Sequence, residues 1–411
     1  MVQPDVEDAD RVPRFIDRSM IYRRFGRTGL RMPVLSAGFM RAMHSWQPFP
    51  AREIPPGSQG NFDRIVQQAL ALGINHFETA RGYGTSEQQL GTALRRVGDR
   101  DSYLLQTKIR PADAPEAFIA DFHDSLGRLG VDRVDLLAVH GINDYRSLWQ
   151  TCRPNGCLAA ARELQRKGLA GWIGFSGHGT PKVVLAALRH SGDGGFDYVN
   201  LHWYYIWQVN APALEEAARQ DMGVFIISPT DKGGMLHNPP ARFIELCRPC
   251  PPMVFNDLYC LERPEVHTIS IGAARPEDFA SHVAALDLLG RSRSLLRDID
   301  LRCRGEMAKV TGSPRPEALW AKLPPWHSTP GYINIPFILW LANLVRGWGL
   351  EEFARRRYGQ LGRDVYWVPG NNGGDAGRYD LGAIAGRAGL ETAELGRLLA
   401  EAHAMLSGPE L

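Results

Sequence analysis

Short apolar runs rich in β-branched residues recur along the chain up to residue 290, each bounded by turn residues and followed by a stretch of helical spacing. Eight of these runs predict strands, at 34–39, 74–79, 103–108, 136–140, 172–176, 198–202, 224–228 and 268–272. The stretches after them predict helices at 62–72, 86–96, 115–129, 158–167, 181–190, 213–220 and 276–289, with a short one near 243–247. In the first helix Phe62, Ile65, Val66, Ala69 and Leu70 have the i, i+3, i+4 spacing of one buried face, and Gly73 is placed to close it. Ser86 followed by Glu87 reads as an N-cap with a carboxylate in the first turn, where the helix dipole favours it.

Eight strand–helix units in succession read as an α/β fold, a (β/α)8 TIM barrel spanning 21–290. The competing reading is a doubly wound open sheet. Against it, no G-x-G-x-x-G follows the first strand, and no G-x-x-x-x-G-K-[ST] occurs. Beyond the barrel, 291–411 is an additional, mainly helical C-terminal region, with helical runs at 294–309, 335–345, 350–358 and 392–406. They are broken by clusters such as Leu323-Pro-Pro and Pro369-Gly-Asn-Asn-Gly-Gly.

Composition narrows the function. The chain's 411 residues suit one barrel plus an appendage better than three small domains. A formal charge of +2 gives no basic field to bind nucleic acid. Residues 1–20 form a polar extension of mixed charge without the apolar centre of a signal peptide. The most apolar stretch, 332–345, is too short to span a bilayer and contains Pro336 and Asn343, so it predicts a buried helix. A cytoplasmic protein with no membrane partner is expected. Six cysteines make no disulfide framework. Cys247-Arg-Pro-Cys250 lacks the second pair or spaced histidines of a zinc site, so ordinary thiols are expected.

The candidate chemistry falls at strand ends, where barrel active sites lie. Asn75-His-Phe-Glu-Thr-Ala-Arg-Gly-Tyr83-Gly84 brings Glu78 and Tyr83, Gln106-Thr-Lys108 brings an ammonium, and Val139-His140 brings an imidazole. Ser176 and Ser228 end two later strands. A phenol with a pKa near 10 is a poor acid at neutral pH unless a neighbouring ammonium stabilises its phenolate. Lys108 can do that for Tyr83, Glu78 can hold Lys108, and His140 can donate to or orient a substrate oxygen. Arg81 lies between Glu78 and Tyr83 and could compete for the carboxylate.

The set resembles the aldo-keto reductase superfamily, whose tetrad is Asp, Tyr, Lys and His. Tyr83, Lys108 and His140 match it, and Glu78 stands where Asp is expected. The resemblance covers about 21–289 and implies an NAD(P)-dependent oxidoreductase interconverting a small-molecule carbonyl and its alcohol, with Tyr83 as proton donor. It further implies that Ser176, with Asn200 in place of a Gln, grips a nicotinamide amide, Gly177 replacing the family's Asn. Ser228 and Pro229, with Lys232 shortly after, resemble the pyrophosphate loop. The stretch Gly272-Ala-Ala-Arg275-Pro-Glu-Asp278 resembles the loop that holds adenosine. Arg275 suits a 2′-phosphate, so NADP(H) is favoured over NAD(H), although the family more often carries that Arg at the position of Ala274.

Pro324-Pro-Trp-His-Ser-Thr-Pro-Gly-Tyr-Ile-Asn-Ile-Pro336 is similar to the ferredoxin-type tail of some of these reductases. A cluster needs about four thiolates, and no cysteine follows Cys303, so no iron–sulfur cluster is expected and the tail is left a packing or pocket-lining role. Aromatic residues at Trp46, Trp149 and Trp203-Tyr-Tyr-Ile-Trp207 are expected to ring the barrel mouth and suit an apolar substrate. The alternative is a cofactor-holding binding or regulatory protein with little turnover, as in voltage-gated potassium channel β subunits. Retention of Tyr83, Lys108 and His140 speaks against it, since a binder needs no proton donor.

Overall fold

The chain enters its described part through an antiparallel ribbon of two three-residue strands, β1 (Tyr22–Arg24) and β2 (Arg31–Pro33). This is a computed structural model, and it describes residues 20–47, 49–363 and 368–408. The polar extension expected at 1–20 therefore lies outside the described residues except for Met20. Eight parallel strands follow: β3 (Leu35–Gly38), β4 (His76–Glu78), β5 (Leu104–Ile109), β6 (Val134–His140), β7 (Ala170–Ser176), β8 (Tyr198–Leu201), β9 (Gly223–Ile226) and β10 (Thr268–Gly272). They close as a barrel in the order β10-β3-β4-β5-β6-β7-β8-β9. The predicted barrel and all eight of its strands are present.

Alternation along the strands decides what faces where, because successive side chains point to opposite sides. Leu105, Ile109, Leu137, Val139, Val199 and Leu201 belong to the large core beneath the helices. Their neighbours Leu104, Leu136, Ala138 and Tyr198 belong to a second core inside the barrel, with Phe225 and Ile227. Phe25 and Met32 of the ribbon complete that inner core. Phe25 packs 5.7 Å from Tyr198, ring to ring, and a Cβ on Gly223 would stand 2.7 Å from the Phe25 ring. The ribbon thus plugs the amino-terminal end of the barrel, leaving chemistry to the other end.

The helices of this unit are α1 (Pro56–Ala71), α2 (Ser86–Val97), α3 (Pro115–Leu129), α4 (Tyr145–Cys152), α5 (Cys157–Arg166), α6 (Pro181–Leu188), α7 (Ala211–Arg219) and the single turn α8 (Pro229–Lys232). Gly73, at φ +73°, closes α1 as expected: its N–H donates to Leu70, and that of Ile74 to Ala69. Ser86 is not a cap. The N-cap is Thr85, and the Ser86 hydroxyl turns inward to Thr79 Oγ1 at 2.8 Å and the Phe39 carbonyl at 3.2 Å. Glu87 is likewise buried, accepting from Thr107 Oγ1 at 2.6 Å, and burial raises its pKa. It stands in the first turn of α2, as expected. The unpredicted α4 starts at a capping box in which Asp144 and Ser147 bond reciprocally.

A second compact unit is built from 234–255 and 292–411. It holds α9 (Ala241–Cys247) and the start of α10 (Pro252–Leu261), whose later residues precede α11 (Phe279–Leu286) in the first unit. It continues with α12 (Arg293–Thr311), α13 (Glu317–Trp320), α14 (Ile335–Trp348), α15 (Glu351–Tyr358), α16 (Gly382–Ala388) and α17 (Thr392–Leu406). The apolar stretch predicted as a buried helix is α14, with Ile338, Leu341 and Leu344 buried. No described helix is long and apolar enough to cross a membrane. All six cysteines are unbridged, and burial raises the Cys247 and Cys250 thiol pKa values.

The Pro-Gly-x-Ile-Asn-Ile-Pro stretch is zipped onto the Pro-Gly-Asn cluster that follows it. Asn334 donates its amide to the Pro369 carbonyl at 2.8 Å, and Asn371 donates its own to Gly331 at 2.9 Å. Gly331 sits at φ +63°, with the Tyr379 ring 2.5 Å from where a Cβ would be. Two sequence features read separately are one hydrogen-bonded packing device.

Candidate active site

Four of the predicted residues meet at the carboxyl ends of β4, β5 and β6. Lys108 is 1% exposed, and its ammonium forms an ion pair with Glu78. The same Nζ donates to the Thr79 carbonyl at 2.8 Å and to Tyr83 Oη at 3.3 Å, and lies 4.6 Å from the Tyr83 ring centre. Ser270 Oγ donates to the other Glu78 oxygen at 3.1 Å. Arg81 does not compete for Glu78; it pairs with Asp124 at 2.8 Å and Asp121 at 3.7 Å on α3.

Room for the longer Glu78 side chain comes from the neighbouring strand. Gly38 pairs with Glu78 in register, and a Cβ there would stand 2.4 Å from Ser270 Oγ and 3.0 Å from Glu78 Oε2. A side chain on β3 at that point would push the carboxylate away from Lys108.

Tyr83 is held by a turn. Its N–H donates to the Ala80 carbonyl at 3.0 Å, and Gly84 (φ +47°) lets the Ser45–Trp46 segment approach so closely that a Cβ would collide with the Ser45 carbonyl. Trp46 stands edge-on to the Tyr83 ring at 6.3 Å, and His140 does so from the other strand at 5.7 Å. His140 Nδ1 is buried and has no hydrogen-bond partner among the described residues.

Burial raises the Tyr83 pKa and drives that of Lys108 well below its ordinary value. The Lys108 contact opposes the first effect and the Glu78 carboxylate opposes the second. His140 is also held well below its usual range, by burial first and then by Lys108, Arg110 and Lys232, so it is a neutral imidazole at pH 7.

The predicted cofactor residues fall into three groups. Ser176 and Asn200 are paired in register on β7 and β8. The Ser176 hydroxyl accepts from the Gly141 N–H at 3.0 Å, while both polar atoms of the Asn200 amide are buried without a partner among the described residues. Ser228, at φ +54°, and Pro229 lead into α8, whose Lys232 Nζ lies 3.1 Å from His178 Nδ1 and 3.2 Å from His202 Nε2. Gly272, Arg275 and Asp278 gather beyond β10. Arg275 donates to Asp278 at 3.1 Å, and Arg41 bonds the Gly272 carbonyl at 2.7 Å and lies 3.5 Å from Asp278.

Sequence reasoning missed Arg41, Gly38, His178 and His202. His202 had a signal, since it continues the inward parity of Tyr198 and Asn200. Its Nδ1 is bonded to the Tyr204 hydroxyl, which reaches the Ile227 carbonyl, and its Nε2 faces His178 and Lys232. The aromatic run is corrected by the same contacts. Trp203, Tyr204, Tyr205 and Ile206 are buried, Trp203 stacking on Tyr259 at 5.8 Å, so they are core and not mouth. Trp149 rides on α4, exposed, with Arg153 4.9 Å over its ring.

The sequence profile described as Aldo/keto reductase family matches residues 54–242. An aldo-keto reductase of Mycobacterium sp. (strain KMS) is 41% identical over 80 residues, 19% of this chain and 29% of that protein. The L-glyceraldehyde 3-phosphate reductase of Escherichia coli (strain K12) is 27% identical over 180 residues, 40% of this chain and 48% of that protein. The chain thus spans less than half the length of these two curated relatives. Among solved structures, an aldo-keto reductase from Bacillus halodurans in its holo form shares the fold, with a TM-score of 0.57 at 22% identity over 69% of this chain and 96% of that one.

Proposed function

The chain belongs to the aldo-keto reductase superfamily, and we propose that it is a nicotinamide-dependent reductase of an aldehyde or ketone, with Tyr83 as proton donor. The observation that carries this reading is the buried Lys108, bonded at once to Tyr83 Oη and paired with Glu78. Such an arrangement costs desolvation that a structural lysine need not incur.

Tyr83 gives its Oη proton to the oxygen of the reacting carbonyl as negative charge develops there. Lys108 stabilises the phenolate left behind, and Glu78 keeps Lys108 charged and in place. His140, being neutral, cannot serve as the acid by losing a second proton; it donates a hydrogen bond to the same oxygen and orients the substrate. Trp46 packs edge-on beside Tyr83.

A bound nicotinamide supplies the hydride, which no side chain can. The unpartnered Asn200 amide beside Ser176 fits a carboxamide, which offers one acceptor and two donors. Ser228, Pro229 and Lys232 would hold the pyrophosphate, and Gly272, Arg275 and Asp278 the adenosine. Fluorescence titration with NADPH and NADH, followed by an aldehyde panel, tests the reading; binding with no turnover of any aldehyde would favour a cofactor-holding protein instead.

Cofactor choice is a separate expectation. Arg41 and Arg275 flank Asp278, and a charge-assisted contact of either guanidinium to a 2′-phosphate contributes about 1.5–3 kcal/mol. NADPH is therefore expected to bind at least about tenfold tighter than NADH. Arg275→Ala and Arg41→Ala should each narrow that gap and barely touch NADH affinity. Equal affinities in the parent protein would show that the phosphate is not read.

A further inference from the structure

We propose that His178 faces the phosphates of the bound nicotinamide cofactor and takes up a proton when that cofactor binds, a role that rests on the reductase reading and adds a linked proton to it.

His178 and His202 each follow by two residues the pair Ser176 and Asn200, which lie in register on β7 and β8. The pairing carries on beyond the strands. The Gly177 N–H donates to the Asn200 carbonyl at 3.4 Å, and the two imidazoles stand with ring centres 4.3 Å apart. His178 Nδ1 is bonded to His202 Nε2, and Lys232 Nζ lies 3.1 Å from the first of these nitrogens and 3.2 Å from the second. Three nitrogens from the connections after β7, β8 and β9 thus meet at one point.

The backbone fixes His178 in place. Its N–H donates to Asn143 Oδ1 at 2.7 Å, and a Cβ on Gly179 would collide with the Asn143 carbonyl. The His178 ring is half-buried. Its other nitrogen, Nε2, has no hydrogen-bond partner among the described residues.

The groups acting on His178 are Lys232 on α8, His202 beyond β8, His140 at the end of β6 and Lys108 on β5, and none is a carboxylate. Asp231, beside Lys232 in sequence, acts on Arg41. Burial first, and these neighbours next, hold His178 well below its usual range, so the free protein keeps it neutral at pH 7. A cluster of bases without a carboxylate favours an anion. A phosphate against Nε2 would favour the charged imidazole and oppose the effect of the neighbouring cations.

The wall also has the order of a nicotinamide nucleotide. Ser176 and Asn200 suit the carboxamide and Lys232 the pyrophosphate, and the imidazole pair comes between them. A base held low in the free protein and raised by its ligand gains a proton as the ligand binds. Affinity is then greatest at low pH and declines as pH rises through the raised value.

The test titrates the whole protein with NADH at pH 6 and pH 8. NADH has the pyrophosphate and lacks the 2′-phosphate, which itself ionises at about pH 6. One linked proton changes affinity by up to about tenfold per pH unit, and the expected gain from pH 8 to pH 6 is at least about threefold. Calorimetry in two buffers of different ionisation enthalpy should show proton uptake on binding. His178→Gln keeps a neutral hydrogen-bonding side chain. It should match the parent at pH 8, fall at least about threefold behind it at pH 6, and take up no proton. If NADPH alone binds, the same gap between parent and variant is read on NADPH. Equal parent affinity at the two pH values, or proton uptake undiminished in His178→Gln, overturns the proposal and leaves the reductase reading standing. Failure of both NADH and NADPH to bind at either pH overturns both.

Discussion

Tyr83→Phe is expected to lower turnover of a carbonyl substrate by about 10²–10⁴-fold, the range for lost acid catalysis, while cofactor affinity stays where it was. The substitution is local. Phe keeps the ring that stands edge-on to His140 at 5.7 Å and to Trp46 at 6.3 Å, and removes only the oxygen 3.3 Å from Lys108 Nζ. Lys108 retains the Thr79 carbonyl and the Glu78 carboxylate, so the ammonium remains buried and partnered. His140 cannot take over, because burial and three neighbouring cations keep it neutral. Single-turnover rates with a saturating aldehyde, beside a fluorescence titration of the cofactor, separate chemistry from binding. Parent-like turnover in the variant would remove Tyr83 from the mechanism, and loss of cofactor binding would show that the change was not local.

Tyr83, Lys108 and His140 could be read from sequence because each ends a strand or the turn after it. The strands themselves were legible because their outward residues, such as Val139 and Leu201, are apolar whatever lies inside. The ribbon was not legible. Tyr-Arg-Arg and Arg-Met-Pro have no alternation to detect, and the apolar weight sits on Phe25 in the turn and on the single Met32. Trp203 to Ile206 misled because hydrophobicity alone does not distinguish a mouth from a core. What draws the run inward is polar, the Tyr204 hydroxyl reaching the Ile227 carbonyl across strands. Arg41 had no local signal at all. It acquires meaning through the Gly272 carbonyl, 231 residues away, once β10 and β3 lie side by side. Gly38 is similar, since its missing side chain matters only because Glu78 and Ser270 flank it.

Glu78 sets the second large expectation. Glu78→Gln preserves volume and hydrogen-bonding reach and removes only the charge, leaving the Lys108 ammonium 1% exposed with no counter-ion. Breaking a buried pair this way costs about 3–5 kcal/mol of stability while the lysine remains protonated. The protein can escape part of that cost by releasing the proton, so the Lys108 pKa, already lowered by burial, falls further. The direction for catalysis follows. Reduction needs the ammonium, which exists below the lysine pKa; lowering that pKa moves the alkaline fall of the rate to lower pH and leaves the acid side unchanged. The parent should therefore keep its rate to higher pH than the variant, and stability of the variant should recover as pH rises and Lys108 becomes neutral. Gly38→Ala approaches the same contact by another route, displacing the carboxylate without removing it, so its profile should shift in the same sense by less. Denaturant melts and pH–rate profiles of the three proteins decide the matter. An equal drop in rate at every pH would mean that Glu78 only supports the fold, and superimposable profiles with equal stability would mean that Lys108 draws its charge state from another partner.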